Sequence, residues 1–494
     1  MTDMMEPTLP AQSADPPEPA DPLRFAVPSR PLPPGGPAVV AARVRAALGP
    51  VLPENGTGQA ALDAMTALVA AETVQVRHPH TAAHLHCPVL PLAAAVDAFV
   101  GELNPSMDSW DQAAAPSVIE DELVAALAGL CFGPAASHPG GTVTAGGTES
   151  NLMALMFARD EAVRRAFDTD PAEDGVPGYA AGRIKFVTSA VAHFSLARAA
   201  ALLGLGERAV VPVRVGADHR MDPRALEEAV AGQAADGNLV AAVVATAGTT
   251  DAGAVDPLAE CGRIAHRYGA WYHVDAAYGG GLLFSERRRP QLAGLAGADS
   301  VTLDLHKFGW QPIPAGLLLT RERSAFGPLA RRVAYLSAVD DERAGYPNLL
   351  DRSLRTTRRA DAVKIAATCQ ALGRSGLAEL VERCFALTAH AAAALRARPE
   401  FELALDPAMT TVLFRYRARY GDPDRVNAAL RRRLLAEGTA VIGRTDLPGP
   451  DGKPNGPGSL RLKLTLLNPQ TTPHDLDRLL DLVAAAGAAE DLPA

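Results

Sequence analysis

The residues best placed to do chemistry are a histidine and a lysine, His306 and Lys307, within the stretch SVTLDLHKFGWQP (300–312). Apolar residues alternate with more polar ones up to this pair, and a period of two residues predicts a β-strand. Lys and Arg together number 47, yet only five are Lys, so the chain uses Arg for ordinary surface charge. Desolvation at the end of an apolar strand favours the uncharged amine that a nucleophile needs. A lysine that extends its ammonium group from the strand end into solvent is the alternative interpretation.

A second candidate is the glycine-rich turn in TVTAGGTESNLMALMFARDEAVRRAF (142–167), where a short β-like run leads into a strongly helical pattern. The start of a helix offers free backbone N–H groups and the positive end of the helix dipole, which suits a phosphate. The turn is neither a P-loop nor G-x-G-x-x-G, and a plain strand-to-helix turn is the alternative.

The types and order of these residues match the requirements of pyridoxal phosphate. Its aldehyde needs a lysine, here Lys307, and its ring nitrogen needs a carboxylate in an apolar strand, here Asp275 in WYHVDAAY. Ala277 leaves room for a flat ring, and His193, which opens HFSLARAA, supplies a planar side chain for the opposite face. Gly147 and Thr148 open the helix that would bind the phosphate. A capped strand end for Asp275 and a helix-terminal position for His193 are the plain alternatives.

Strands and helices that alternate along the chain must position these residues. Nearly continuous apolar strands are predicted at 183–190, 208–215, 271–280, 300–306 and 315–320, with helical patterns between most of them. The stretch 239–253 is predicted as a buried strand that runs into a Gly/Thr loop. This alternation predicts a largely parallel, doubly wound α/β sheet. Ligands of such folds bind at the carboxyl ends of the strands, where Thr246, Asp275 and Lys307 lie.

The 494 residues exceed a single core, so several domains are expected. We predict a Pro-rich disordered arm (1–37), an N-terminal helical segment (38–104), a large domain (105–376) and a smaller C-terminal α+β domain (377–494). The arm is acidic and lacks the basic and apolar regions of a signal peptide.

A formal net charge of −9 argues against nucleic acid or an anionic membrane as the main partner. No apolar run in the sequence is long enough to span a bilayer. The five cysteines are widely spaced and lack a C-x-x-C pair, which indicates reduced thiols in a cytoplasm.

Four histidines fall within nine residues in HPHTAAHLHCP (78–88). A metal site is one interpretation, but the spacing is not H-E-x-x-H and no carboxylate lies in the run. A loop that lines a pocket is favoured, and no metal is predicted.

The sequence resembles the group II pyridoxal-phosphate-dependent amino-acid decarboxylases, which include enzymes for aromatic amino acids, glutamate, L-2,4-diaminobutyrate and, in siderophore-type members, lysine. The resemblance runs from about residue 76 to the C-terminus. It rests on the motifs HPHTAAHLHCP, NPSMDSWDQ, TAGGTESNL, HVDAAYGG, DLHK, PNLLDRSLRTTRRADAVK and LKLTLLNP.

The resemblance implies the aspartate-aminotransferase fold (fold type I), pyridoxal 5′-phosphate as cofactor and a homodimer with its sites at the subunit interface. It makes Lys307 the Schiff-base lysine and Asp275 the partner of the ring nitrogen. The implied cofactor-binding residues are Gly147, Thr148, His193, Thr246, Asp275, Ala277, His306 and Lys307. The implied catalytic residues are Lys307, His193 and Tyr335, the last from a mobile loop. Aromatic decarboxylases have Asn where this chain has Asp304, whose carboxylate would repel a phosphate.

The substrate is predicted from Asp108, which stands where aromatic decarboxylases line the pocket with a ring. A carboxylate there favours a cationic side chain such as that of L-2,4-diaminobutyrate or L-lysine, unless Asp108 is a loop cap that faces away. Decarboxylation of an aromatic amino acid is the alternative. An oxidative deaminase is disfavoured by Tyr335, since variants that favour oxidation typically have Phe there. An aminotransferase would require a carboxylate-binding arginine; Arg415 or Arg461 could serve, but neither lies in a recognisable pattern.

Overall fold

The computed structural model of the chain describes residues 27–453 and 455–493. The helices are α1 (Gly36–Leu48), α2 (Gln59–Glu72), α3 (Pro91–Leu103), α4 (Ala114–Phe132), α5 (Gly147–Phe167), α6 (Gly178–Ala181), α7 (Ser195–Leu202), α8 (Pro223–Ala235), α9 (Leu258–Arg267), α10 (Leu305–Phe308), α11 (Val339–Arg343), α12 (Ala362–Ala397), α13 (Pro423–Glu437) and α14 (Pro473–Glu490). The strands are β1 (Thr81–Ala82), β2 (Gly140–Thr144), β3 (Ile184–Ser189), β4 (Val210–Val213), β5 (Leu239–Thr246), β6 (Trp271–Ala276), β7 (Ser300–Asp304), β8 (Gly316–Thr320), β9 (Phe401–Leu403), β10 (Thr411–Tyr416), β11 (Val441–Asp446) and β12 (Leu460–Thr465).

A seven-stranded sheet forms the centre of the larger part of the molecule, in the order β2-β8-β7-β6-β5-β3-β4. Strands β4, β3, β5, β6 and β7 are parallel, and β8 and β2 add two antiparallel pairings at one edge. Every residue of β7 and β8 is buried, as the apolar strand pattern requires. The predicted largely parallel α/β sheet is thereby confirmed.

A second, five-stranded sheet lies in the C-terminal part, in the order β1-β11-β12-β10-β9. Its own apolar cluster contains Val412, Phe414, Leu462 and Leu464 together with residues of α13 and α14. Strand β1 comes from the N-terminal segment and pairs in parallel with β11, through Thr81 and Val441. No sequence pattern predicts this addition, because a strand of two residues is too short to show a period.

One local prediction was wrong. The strand that leads to His306 and Lys307 ends at Asp304, so both residues lie in the single helical turn α10 instead of on the strand. Ser117 and Glu120 have the spacing of a capping box, but they lie inside α4 and the Ser117 hydroxyl donates to the Ala114 carbonyl. Glu120 instead forms a buried ion pair with Arg358 at 2.6 Å.

Residues 27–37 of the predicted disordered arm make contacts with the rest of the chain. Residues 1–26 of the arm lie outside the described residues. Beyond them, the carbonyl of buried Pro31 accepts a hydrogen bond from Gln75 N at 2.8 Å, and Gly35 N donates to the Ala436 carbonyl at 2.7 Å. These contacts attach the segment that precedes α1 to the rest of the chain.

Across residues 27–453 and 455–493, the helices are all too short or too polar to cross a bilayer.

Candidate active site

Side chains from four neighbouring parallel strands meet at one edge of the large sheet. Thr246 is the last residue of β5, Asp275 lies near the end of β6, and Lys307 follows β7 by three residues. His193 lies in the loop between β3 and α7. Together they line a cavity of about 620 Å³ at the carboxyl ends of the strands.

All eight residues that the sequence predicts to bind the cofactor line this cavity: Gly147, Thr148, His193, Thr246, Asp275, Ala277, His306 and Lys307. The walls also include Asn151 and Asp304.

The start of α5 forms one wall. The N–H groups of Glu149 and Ser150 bond to the Gly146 carbonyl, whereas those of Gly147 and Thr148 have no acceptor among the described residues. A Cβ atom at Gly147 would lie 3.1 Å from Asp304 Oδ2 and 3.2 Å from the Ala277 Cβ, so a larger residue would push these neighbours away from the start of the helix. Glu149, in the first turn, accepts from Ala145 N at 2.6 Å and from Arg355 Nε at 3.0 Å. The turn is therefore held in a shape that offers N–H groups to an anion.

Asp275 is buried and accepts two hydrogen bonds. Asn151 Nδ2 donates to Oδ2 at 2.8 Å, and the backbone N–H of Ala277 donates to Oδ1 at 3.1 Å. Donors to both oxygens stabilise the ionised form of a carboxyl group. Asp275 can therefore hold a proton on a ring nitrogen placed against it.

His193 is a partly buried imidazole two residues before the start of α7. Burial is the main cause that lowers its pKa; Lys307 lowers it further, and the carboxylates of Asp275 and Asp304 oppose the shift. Its Nδ1 lies 2.9 Å from Ser195 Oγ. The ring is consequently neutral near pH 7.

Lys307 pairs with Asp304, whose Oδ2 lies 2.8 Å from Nζ. His306 Nε2 is 3.7 Å from the same oxygen, and burial lowers the pKa of His306. The other oxygen, Asp304 Oδ1, is buried and has no hydrogen-bond partner among the described residues.

The cavity fits pyridoxal 5′-phosphate by the chemistry of its walls. An amine, a doubly hydrogen-bonded carboxylate, a neutral imidazole and a helix start are the groups that this cofactor requires. In addition, Thr246 Oγ1 is buried at the cavity and has no partner among the described residues, so it is free to bond to a polar atom of a ligand.

Two predicted residues are not part of this cavity. Tyr335 is 82% exposed in the segment between β8 and α11. Asp108 is buried elsewhere, and its oxygens accept hydrogen bonds from Gln112 Nε2 at 2.9 Å and from Thr357 Oγ1 at 3.3 Å. Within one chain, Asp108 therefore has the geometry of a loop cap.

The aminotransferase candidates are also remote from the cavity. Arg415 pairs with Glu402 at 2.9 Å, and Arg461 donates to the carbonyls of Gly458 and Leu460, all within the C-terminal part. Neither arginine lines the cavity.

The histidine-rich segment contributes to the site through Leu85 and Cys87. Leu85 lines the cavity, and Cys87 Sγ donates to the His306 carbonyl at 3.2 Å. Within the described ranges, no three His, Cys, Asp or Glu side chains are arranged to hold a metal ion.

Sequence reasoning missed Asn151, which bonds to Asp275, and Ser195, which bonds to His193. The available signal for Asn151 was a polar amide on α5 one turn after Gly147, in the otherwise apolar run NLMALMF. Ser195 gave no signal, because a serine near a helix start is ordinary capping chemistry.

Comparison with known proteins gives a consistent result. Residues 47–417 match the family described as the pyridoxal-dependent decarboxylase conserved domain. The chain is 44% identical over 435 residues to L-2,4-diaminobutyrate decarboxylase of Rhizobium meliloti (strain 1021), covering 87% of this chain and 83% of the relative. It is 37% identical over 445 residues to the Acinetobacter baumannii protein of the same name, with 87% and 84% covered.

A crystal structure from Vibrio parahaemolyticus has the same fold. It is the glutamate decarboxylase domain of diaminobutyrate-pyruvate transaminase and L-2,4-diaminobutyrate decarboxylase, with a TM-score of 0.83 and 34% identity over 93% of this chain and 91% of that one. The chain therefore belongs to the pyridoxal-dependent decarboxylase family. It is a decarboxylase of fold type I whose cofactor is pyridoxal 5′-phosphate.

Proposed function

We propose that this member of the pyridoxal-dependent decarboxylase family removes CO₂ from an L-amino acid with a cationic side chain, L-2,4-diaminobutyrate or L-lysine, and releases the amine. The observation that carries the reaction is the meeting of Lys307, Asp275 and His193 in one cavity with the start of α5. The similarity to two diaminobutyrate decarboxylases supports the substrate class.

Each wall of the cavity has a proposed task toward the cofactor. The first N–H groups of α5, at Gly147 and Thr148, would hold its phosphate, and Lys307 would bind its aldehyde. Ala277 and His193 would hold its ring, and Thr246 and His306 would contact it from the neighbouring walls. When bound, pyridoxal 5′-phosphate supplies a cationic ring that accepts the electron pair left by the departing CO₂.

Asp275 would keep a proton on the ring nitrogen, because Asn151 and the Ala277 N–H hold its carboxylate in place. The buried surroundings strengthen this interaction, since little water competes for the carboxylate.

We also propose a homodimer, in which Tyr335 and the 105–111 segment serve the partner's cavity. Three observations support it. Tyr335 is 82% exposed. Helices α1 and α2 have no buried residue. Leu62, Met65 and Val69 form an exposed apolar stripe on α2. Tyr335 would return the proton to the substrate carbon.

Asp108 is proposed to select the cationic side chain from across the interface. Both of its oxygens have donors in its own chain, and a carboxylate so held retains lone pairs for an ammonium group. Replacement of Asp108 by Asn would then raise KM for the dibasic substrate and leave an aromatic substrate unaffected.

Cytoplasmic location is proposed from the cysteine pattern alone, with five free thiols.

The test is a screen for CO₂ release by the cofactor-loaded enzyme across diaminobutyrate, lysine, ornithine, glutamate, tyrosine, Dopa and tryptophan. We expect release from a dibasic substrate and its loss in Lys307→Ala. The matched control is Lys185→Ala, since Lys185 is remote from the cavity and donates to the Gly182 carbonyl. Release from aromatic substrates alone would contradict the substrate class.

A further inference from the structure

A chain of buried hydrogen bonds lies behind Asp275 and reaches His193. Trp271 Nε1 donates to Ser300 Oγ at 2.8 Å, and Ser300 Oγ lies 2.8 Å from His273 Nδ1. His273 Nε2 lies 3.1 Å from Asn151 Oδ1. His273 is fully buried, and burial lowers its pKa to about 4, so the ring is neutral and has one proton to donate.

Asn151 joins this chain to the active site. Its Oδ1 also accepts from Thr302 Oγ1 at 2.9 Å. Its Nδ2 lies 2.8 Å from Asp275 Oδ2 and 3.0 Å from Ser195 Oγ. Ser195 Oγ in turn lies 2.9 Å from His193 Nδ1. All hydrogen-bonding positions of the Asn151 amide are occupied in this arrangement.

The direction of these hydrogen bonds follows from the groups that can only donate or only accept. An indole N–H only donates, so the Ser300 hydroxyl accepts from Trp271. The Asn151 oxygen that faces His273 Nε2 only accepts, so the His273 proton is on Nε2 and the Ser300 hydroxyl donates to Nδ1. A carboxylate only accepts, so the amide nitrogen of Asn151 must face Asp275, and its second hydrogen points to Ser195.

The last link determines the state of His193. The backbone N–H of Ser195 is directed at His193 Nδ1, at 3.3 Å. A backbone N–H only donates, so Nδ1 is an acceptor and the single proton of the neutral ring is on Nε2. The Ser195 hydroxyl, which accepts from Asn151 and lies 2.9 Å from Nδ1, then gives its own proton to Nδ1.

We propose that Asn151 and Ser195 are positioning residues that hold His193 as the neutral tautomer with its proton on Nε2, so that His193 donates a hydrogen bond to the bound ligand and does not transfer a proton. The inference rests on the proposed function only for the identity of that ligand. The charged groups near His193 are Asp275, Lys307, Asp304 and Arg198. Burial is the largest influence and favours the neutral ring. Proton return to the substrate carbon then belongs to another group, such as Tyr335.

The test is nuclear magnetic resonance of the cofactor-loaded enzyme with isotope-labelled histidine nitrogens. The chain has 12 histidines, and the His193→Gln spectrum identifies the signal of His193. We expect an unprotonated Nδ1 and a protonated Nε2 in the unaltered protein. A proton on Nδ1 would overturn the proposal, and this measurement needs no variant that might fail to fold.

Two variants test the link through Ser195. Ser195→Ala removes the hydroxyl that opposes a proton on Nδ1, so the pKa of His193 should rise. Asn151→Ala should also raise it, because the Ser195 hydroxyl is then free to accept from Nδ1. Asn151→Ala should add nothing further in the Ser195→Ala background. An unchanged His193 pKa in both single variants, or fully additive shifts, would contradict the proposal.

Ser117→Ala is the matched control, because this buried hydroxyl bonds only to the Ala114 carbonyl in α4. It should leave the His193 signal unchanged. The tautomer is measured without turnover, so failure of this inference is distinguishable from failure of the proposed decarboxylation.

Discussion

Asp304 places a carboxylate in the cavity beside the groups that would bind an anion. Its carboxylate pairs with Lys307 at 2.8 Å, and a Cβ on Gly147 at the start of α5 would lie 3.1 Å from the same oxygen. Oδ1 is buried and has no partner in the part of the chain that the structure describes. A negative charge thus lies beside the N–H groups proposed to bind the phosphate.

We expect Asp304→Asn to bind inorganic phosphate about tenfold more tightly than the unaltered apoenzyme, since repulsion is removed and the Lys307 ammonium is freed. Equilibrium dialysis of the cofactor-free protein measures the dissociation constant. Asp256→Asn changes a buried carboxyl group outside this cavity and serves as the control. Equal or weaker phosphate binding by Asp304→Asn would show that the carboxylate does not oppose the anion.

His273 makes stability depend on pH. Burial lowers its pKa from 6.5 to about 4, so between these values the unfolded chain binds a proton that the folded chain does not. Stability from this group is present above pH 6.5 and is lost as the pH falls toward 4, by up to about 3 kcal/mol.

His273→Gln removes this titration, and we expect its unfolding midpoint in urea to fall less than that of the unaltered protein between neutral pH and about pH 5. The comparison is made between the two proteins at each pH, because Asp256 acts in the opposite direction. Burial raises its pKa from 3.8 to about 6, so it stabilises the fold as the pH falls through that window. Parallel pH profiles for the two proteins would contradict the assignment to His273.

At the scale of elements, a buried ion pair connects α4, β2 and the segment before α12. Arg358, just before α12, binds both carboxylate oxygens of Glu120 in α4 at 2.6 Å. Glu120 Oε1 also accepts from Val143 N in β2 at 2.9 Å. Both side chains of the pair are 2% exposed.

Glu120→Ala should lower the free energy of unfolding by about 3–5 kcal/mol, because Arg358 is left as a buried charge without a partner. Urea denaturation measures the change. Asp481→Ala removes a mostly exposed carboxylate that pairs with Arg398 in the C-terminal part, and should have little effect. Equal effects of the two substitutions would contradict the importance of burial.

Glycines in two helices should respond in opposite ways to alanine. Gly373 interrupts α12 with φ 61° and ψ 176°, a conformation that costs an L-residue about 1–3 kcal/mol. Gly232 is a regular residue of α8, and a Cβ there would meet nothing within 4 Å. We expect Gly373→Ala to lower the melting temperature. Gly232→Ala should raise it slightly, because the free energy of unfolding increases by about 0.5–1 kcal/mol. A rise for both would show that α12 straightens without cost.

At the scale of the whole molecule, we propose that the division between large and small domains lies within α12, between Phe385 and Leu387. This is C-terminal to the break at Gly373 and to the boundary at 376 and 377 predicted from the sequence. The apolar cluster with Val381 and Cys384 belongs to the large sheet, whereas Leu387, Ala391 and Leu395 pack with the small one. Helix α12 thus connects two cores.

The proposed homodimer is tested on α2. Replacement of both Leu62 and Met65 by Glu should shift the protein from dimer to monomer in sedimentation, because two charges enter the apolar stripe. Activity should fall with the dimer fraction if Tyr335 acts in the partner's cavity. Tyr420→Glu, at a side chain 65% exposed in the C-terminal part, is the control. An unchanged, fully active dimer would place the interface elsewhere.

Much of the fold and of the cavity was determined by the sequence alone. The apolar strands and their alternation with helices predict a parallel sheet, and a parallel sheet brings the ends of β5, β6 and β7 to one edge. Thr246, Asp275 and Lys307 therefore had to meet, whatever the details of packing. The glycine turn before α5 was recognised in the same way, because its signal is local.

Contacts between distant residues were decided only by the tertiary structure. Asn151 and Asp275 are 124 residues apart, and their bond depends on how α5 packs over the sheet. The same packing sets the directions of the hydrogen bonds that run from Trp271 to His193. In the small sheet, the pairing of Thr81 with Val441 adds β1. Sequence periodicity reports which face of an element is buried, but not which buried polar group it meets. The arrangement of hydrogen-bond donors around His193 therefore required the folded chain.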